Sequence, residues 1–250
     1  MIKPALVRLV NLSKNYQEGE HQRLVFNNLN LEIYAGEFVV LLGRSGSGKS
    51  TLLNILSGID EPSSGRVFIN DEDITGLSEH DRTLFRRDNV GFIFQLFNLV
   101  PTLTVQENVL LPLELTGKLK KAHHQHVNKL LHAVGLSDRA NSFPDRLSGG
   151  EQQRVAILRA MIHQPALLLA DEPTGNLDTD TSRKVMKLLT TLVRKEGKTL
   201  VLVTHNQELA QTADRVFRIR DGKISAINTT TGEPVHPSLN TPLDAQETLT

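Results

Sequence analysis

Short apolar runs alternate along the chain with stretches whose apolar residues recur at helical spacing. Phe38-Val39-Val40-Leu41-Leu42 is continuous and stops at Gly43, which predicts a strand buried on both faces. Ser50 to Ser57 predicts a short helix ended by Gly58. Val127, Leu130, Leu131 and Val134 fall on one helix face, and Val185, Leu188, Leu189 and Leu192 repeat that spacing. Leu167-Leu168-Leu169 and Leu200 to Val203 predict further buried strands. Strands alternating with helices point to an α/β body around a largely parallel sheet.

A second pattern is antiparallel. Leu29, Leu31 and Ile33 alternate with polar residues, as do Phe217 and Ile219 with Arg218 and Arg220. Asp221-Gly222 then reads as a hairpin turn. From about Leu96 to Ile162 the pattern is mostly helical and reads as a helical insert in the α/β body. Residues 1–227 form the expected domain. Asn228 to Thr250 is rich in Thr and Pro, lacks periodicity, and reads as a loosely ordered polar tail.

Composition narrows the function. The chain has 250 residues, with 28 Lys+Arg against 28 Asp+Glu, so the formal net charge is zero. That gives no overall basic footprint for nucleic acid, and no nucleic-acid partner is expected. There is no Cys, which excludes disulfides, thiolate metal sites and a Cys nucleophile. The longest apolar runs fall far short of the roughly 20 residues a membrane span needs. The N-terminal stretch does not have the pattern of a signal peptide. A cytoplasmic protein is expected, with any membrane role supplied by a separate partner. His123, His124 and His126 lie at a basic helix start and read as a solvated face rather than a metal site.

Gly43-Arg44-Ser45-Gly46-Ser47-Gly48-Lys49-Ser50 matches the phosphate-binding pattern G-x-x-x-x-G-K-[ST] in full, with a buried strand before it and a helix after. Small residues let backbone N–H groups wrap a phosphate. Lys49 is placed for the β- and γ-phosphates and Ser50 for Mg²⁺. Asp171-Glu172 follows a predicted strand. Asp171 can hold Mg²⁺ through water, and Glu172 can orient and deprotonate a water. Together these specify a P-loop nucleotide hydrolase with Mg²⁺ and leave open which kind.

Leu147-Ser148-Gly149-Gly150-Glu151-Gln152-Gln153-Arg154 adds a second anion site at a helix start. Here the chain resembles the ATP-binding-cassette (ABC) ATPases, and the resemblance covers residues 5 to 225. It implies a P-loop core with an antiparallel β-subdomain and a helical subdomain. It implies nucleotide contacts from Gly43 through Thr51, an aromatic on adenine at Tyr16, and signature contacts from Ser148, Gly149 and Gly150. Gln95 resembles the glutamine that touches Mg²⁺, and His205 the histidine that contacts the γ-phosphate. Gly175-Asn176-Leu177-Asp178 resembles the loop that crosses a dimer interface. Two positions depart from the family: Asn206 stands where an acid is usual, and Leu158 where a small residue is usual.

Phe94 to Val109 and Asp171 to Asp178 resemble the ATPases of lipoprotein-release and macrolide-export systems, with the cell-division ABC ATPase as a cousin. The resemblance implies a head-to-tail homodimer with two ATPs sandwiched and a permease as membrane partner. It places the chain peripherally, at the cytoplasmic side of the inner membrane. Export or extraction is the expected work, with a mechanical role in an envelope or division complex as the alternative. Phe97, Leu99, Val100, Leu103, Val105 and Val109 suggest an exposed apolar groove where that partner docks.

Overall fold

The computed structural model describes residues 4–19 and 21–228, so the expected tail lies outside the described residues beyond Asn228. The chain opens with two long strands, β1 (Ala5–Glu18) and β2 (His21–Tyr34), paired antiparallel. Leu29, Leu31 and Ile33 on β2 point inward and are buried, as their alternation predicts. β3 (Phe38–Leu42) is buried at all five positions and leads through the glycine-rich loop into α1 (Lys49–Leu56). β4 (Ser64–Ile69) and the short β5 (Glu72–Asp73) complete a four-stranded antiparallel sheet in the order β2-β1-β4-β5.

After α2 (Glu79–Asn89), β6 (Val90–Ile93) enters the second sheet. The helical region follows with α3 (Val105–Leu115), α4 (Lys121–Ala133) and α5 (Gly149–Met161). Then come β7 (Leu167–Asp171), α6 (Thr179–Lys195), β8 (Thr199–Thr204) and a single turn, α7 (Gln207–Ala210). The hairpin β9 (Arg215–Arg220) and β10 (Lys223–Ile227) closes the sheet edge. Its turn residues Asp221 and Gly222 have φ of 51° and 72°, the left-handed pair that a tight hairpin needs. The sheet order is β10-β9-β3-β8-β7-β6, parallel from β9 through β6.

Three apolar cores result. One fills the space between the antiparallel sheet, α1 and one face of the parallel sheet. A second lies on the opposite face under α5 and α6. The third belongs to the helical region and gathers Val105, Val109, Leu131 and Leu158. Helix α5 serves two cores, with Ile157 and Met161 toward the sheet and Val155 and Leu158 toward the helices. Leu158 is therefore large because it fills the helical core, where it is 1% exposed.

The apolar groove expected over Phe97 to Val109 is corrected in part: Phe97, Leu99, Val100 and Leu103 are half-buried, but Val105 and Val109 are not available to a partner. Val105 and Val109 are fully buried on the inner face of α3, and Leu99 packs against the same core. Thr104 starts α3 with a capping box to Glu107, so the breaks at Asn98 and Pro101 precede a regular buried helix. Asn108, also fully buried, accepts from Val100 N and donates to the carbonyls of Val100, Leu103 and Thr104, which ties down the loop. Leu96, just before this segment, is exposed. Among the described residues no helix is long and apolar enough to cross a membrane.

Gly91 on β6 lets α5 lie directly on the sheet. A Cβ there would stand 2.1 Å from the Ala160 carbonyl oxygen and 2.6 Å from the Leu168 side chain. Gly91→Ala is expected to destabilise the fold by about 1–3 kcal/mol through overpacking. Urea unfolding measures this, and an unchanged midpoint would contradict the close approach.

Candidate nucleotide site

The phosphate loop sits where β3 ends and α1 begins, so its shape is set by the two elements it joins. Gly48 precedes α1 with φ of 94°, and a Cβ there would fall 2.5 Å from Val25 and 2.8 Å from the Phe26 ring. Only glycine satisfies both the left-handed backbone and the contact with β2. At Gly43 a Cβ would meet Ser47 Oγ at 2.4 Å and the Ile219 carbonyl oxygen at 3.0 Å. Lys49 is 6% exposed, and its Nζ donates to the carbonyls of Gly43 and Arg44, each at 3.0 Å. Helix α1 has no side-chain cap, so its first N–H groups face the loop unsatisfied by a side chain. Ser47 Oγ is buried without a partner. An uncapped helix start and an unpaired hydroxyl around a glycine cradle fit a phosphate.

The neighbouring strand ends bring three more side chains to this loop. The Ser50 side chain reaches the Asp171 carboxylate at the end of β7. Burial holds the Asp171 carboxyl above the usual range; the adjacent Glu172 carboxylate adds to this, while Ser50 and Lys49 oppose it. Glu172 follows with φ of 42°, a left-handed conformation at a non-glycine residue, and its N–H is pinned to the Val203 carbonyl at 3.0 Å. This turn aims Glu172 toward the end of β8, where His205 Nδ1 lies 2.8 Å from Glu172 Oε2. Ser50 and Asp171 are hard oxygen donors side by side, a pair suited to Mg²⁺.

Gln95 lies just past β6 and is exposed. It leans on the loop after Glu172: its Nε2 donates to Asn176 Oδ1 at 3.4 Å, and Asn176 Nδ2 donates back to the Gln95 carbonyl at 3.1 Å. A Cβ at Gly175 would stand 2.7 Å from Gln95 Nε2. Tyr16, on β1, reaches Thr51 of α1, and its hydroxyl donates to Asp60 Oδ2 at 2.7 Å. Asp60 also accepts from the buried Lys14 at 2.7 Å. Burial alone would raise the Asp60 carboxyl, but Lys14 and Tyr16 outweigh it and hold it below the usual range.

A cleft of about 760 Å³ opens on this loop, lined by Gly43 to Ser47, His205 and the β9–β10 turn. Neither Lys49, Asp171 and Glu172 nor the signature residues are among its lining residues. Ser148, Gly149 and Gly150 start α5, where Ser148 forms a capping box with Glu151. Their glycines answer to packing as well as to an open N-terminus. A Cβ on Gly150 would fall 2.4 Å from Thr181, and one on Gly149 would fall 3.1 Å from Leu177.

Known proteins place this arrangement. The family model described as ABC transporter matches residues 26–175. The chain belongs to the ABC transporter ATP-binding family. It is 53% identical over 229 residues to an uncharacterized ABC transporter ATP-binding protein of Mycobacterium tuberculosis, covering 91% of this chain and 92% of that one. It is 45% identical over 218 residues to the lipoprotein-releasing system ATP-binding protein LolD of Gluconobacter oxydans, covering 87% and 94%. It is 44% identical to the macrolide export ATP-binding/permease protein MacB of Rhodopirellula baltica, covering 88% of this chain and 32% of that longer one. The solved dimer of the ATP-binding cassette MJ0796 bound to ADP and Pi superposes with a TM-score of 0.79 at 43% identity, covering 87% and 96%.

The cassette is thus an ATPase of the ABC fold, with the resemblance read from its motifs borne out. The position usually held by an acid is occupied by Asn206, which caps α7 by accepting from Glu208 N, a task an acid performs equally well. Sequence reasoning missed Asn176 as the partner of Gln95, and missed Asp60 and Lys14 as the partners of Tyr16. None of these pairs has a local spacing signature, because each joins segments distant in the chain.

Asp171 carries a stability cost that can be measured in metal-free, nucleotide-free protein. Above its folded titration point the native chain holds a carboxylate that burial penalises. As pH falls through that point, the native chain takes up the proton before the unfolded chain does, and native stability gains until both are protonated. Asp171→Asn is therefore expected to raise Tm at neutral pH, by about 2–4 °C for each kcal/mol recovered. The difference should close as pH drops into the ordinary carboxylate range. A lower Tm for the variant at pH 7 would contradict the burial.

Proposed function

We propose that two copies of this cassette close head to tail over two ATP molecules and drive a separate membrane permease that exports or extracts a substrate. The observation that carries this reading is the division of the site. Ser50 reaches Asp171 beside the phosphate loop and His205 lies 2.8 Å from Glu172, while the signature glycines at the start of α5 stand against Leu177 and Thr181. Two-fold pairing is the closed arrangement that lets one copy's signature meet the other copy's nucleotide. The dimeric MJ0796 cassette, at 43% identity, is a precedent for such pairing.

In this reading the backbone of Gly43 to Ser50 and the Lys49 ammonium hold the β- and γ-phosphates, Thr51 lies beside them, and Tyr16 stacks on adenine. Ser50 and Asp171, with Gln95, hold Mg²⁺, which when bound neutralises phosphate charge. Glu172 takes a proton from the attacking water, and His205, 2.8 Å from Glu172, orients it and faces the γ-phosphate. Ser148 and Gly150 of the second copy complete the γ-phosphate shell through the start of α5. Loss of the γ-phosphate removes the bridge, and the pair opens.

The relatives named for lipoprotein release and macrolide export support work on a membrane partner. A contact on the cytoplasmic side, next to Gln95, would use Leu96, which is 71% exposed. It would receive an apolar helix of the permease.

Glu172→Gln keeps the shape and removes the base. It is expected to bind ATP, to slow hydrolysis by about 10²–10⁴-fold, and to accumulate a pair of chains visible by light scattering. A Gln variant that stays monomeric with ATP and hydrolyses at the wild-type rate would contradict both the role of Glu172 and the pairing.

A further inference from the structure

We infer that Arg159 is a positioning residue that makes the Gln95 segment and the signature helix move as one body, and so couples the two ATP sites of the closed pair. The inference rests on the pairing proposed above. It is carried by a half-buried cation whose hydrogen-bond partners are backbone carbonyls. The Arg159 guanidinium donates to the Asn98 carbonyl at 2.6 Å and to the Phe97 carbonyl at 2.8 Å. Among the described residues no carboxylate pairs with it, and burial pushes its pKa below the usual guanidinium value. A desolvated cation is tolerated where its hydrogen bonds are good ones, and here both go to one turn.

That turn is itself held in an unfavourable shape. Phe97 and Asn98 have φ of 53° and 51°, two consecutive left-handed non-glycine residues. Backbone of this kind persists where its surroundings over-determine it. Arg159 grips the turn from the C-terminal half of α5. The Phe97 ring reaches the start of the same helix, 3.5 Å from where a Cβ on Gly149 would stand. Gly91, on the strand that leads into Gln95, lies against Ala160. The segment from β6 to Asn98 is thus fastened along α5 at three places, and Gln95 falls within it. A shift of Gln95 at one nucleotide becomes a shift of Ser148 at the other, through one rigid helix.

The test is steady-state ATP hydrolysis by the full chain as wild type, Arg159→Met and Arg159→Lys, with ATP affinity measured separately on dilute, unpaired protein. Two coupled sites give wild type a Hill coefficient of up to about 2. Arg159→Met should bring it toward 1 and lower kcat about tenfold through misplacement at the reacting centre. Affinity of the unpaired chain should stay within about twofold, as for a distant site. Arg159→Lys keeps the charge and one carbonyl bond, and should fall between the two. Should Arg159→Met fail to fold, a lowered Hill coefficient in Arg159→Lys with unchanged single-chain affinity supports the inference. Wild-type cooperativity in either folded variant overturns it. So does a parallel loss of affinity, rate and Tm, which would mark a merely structural residue. A wild-type chain with hyperbolic kinetics and no ATP-dependent pairing instead overturns the two-copy reading itself.

Discussion

The Lys49 ammonium is buried inside its own loop and satisfied there by the carbonyls of Gly43 and Arg44. A buried ammonium without such partners would be costly, so the loop has to curl around it. That curl needs Gly43 and Gly48, and Gly48 in turn rests on Val25 and Phe26 of the antiparallel sheet. The loop's first residue leaves a strand buried on both faces, and its last begins α1, packed in the same core. Ser50, one residue on, reaches Asp171 at the end of β7. One cation therefore registers both sheets and a helix against each other, and the geometry offered to a phosphate is set before any nucleotide arrives.

The strand ends beside the loop pair strain with function. Glu172 sits in a left-handed turn pinned to β8, and Asp171 keeps a carboxyl that burial disfavours. Neither arrangement helps the free chain fold. In the proposed reading these oxygens would meet a metal-bound phosphate and a water, and such local costs are expected at functional sites. The signature starts α5, a helix that packs in two cores at once. Its N-terminus is carried by the helical region, and its C-terminal half lies against the sheet through Gly91 and Ala160.

Much of this was legible from residue order. The buried strand at Phe38 to Leu42, the glycine loop, the Asp171-Glu172 pair and the hairpin at Asp221-Gly222 are local patterns, and local patterns survive in the sequence. The α/β body with an antiparallel layer and a helical insert follows from the same alternation. What was not legible depends on distance. Val105 and Val109 looked available to a partner because an apolar residue does not announce which side of a helix meets the core; the capping box at Thr104 and the buried Asn108 decide it. Arg159 has nothing in its sequence neighbourhood that encodes the turn at Phe97 and Asn98 that it holds. Tyr16 was singled out, but Asp60 and Lys14, which fix its hydroxyl, were not.

In the proposed pairing one chain carries two unlike halves of an ATP site, completed when copies pair. Specific ATPase activity as a function of protein concentration tests this most directly. Completed half-sites predict that activity per chain rises with concentration at saturating ATP and levels off as pairs fill. Activity per chain that stays constant on dilution, down to concentrations where light scattering shows a monomer throughout turnover, would contradict it.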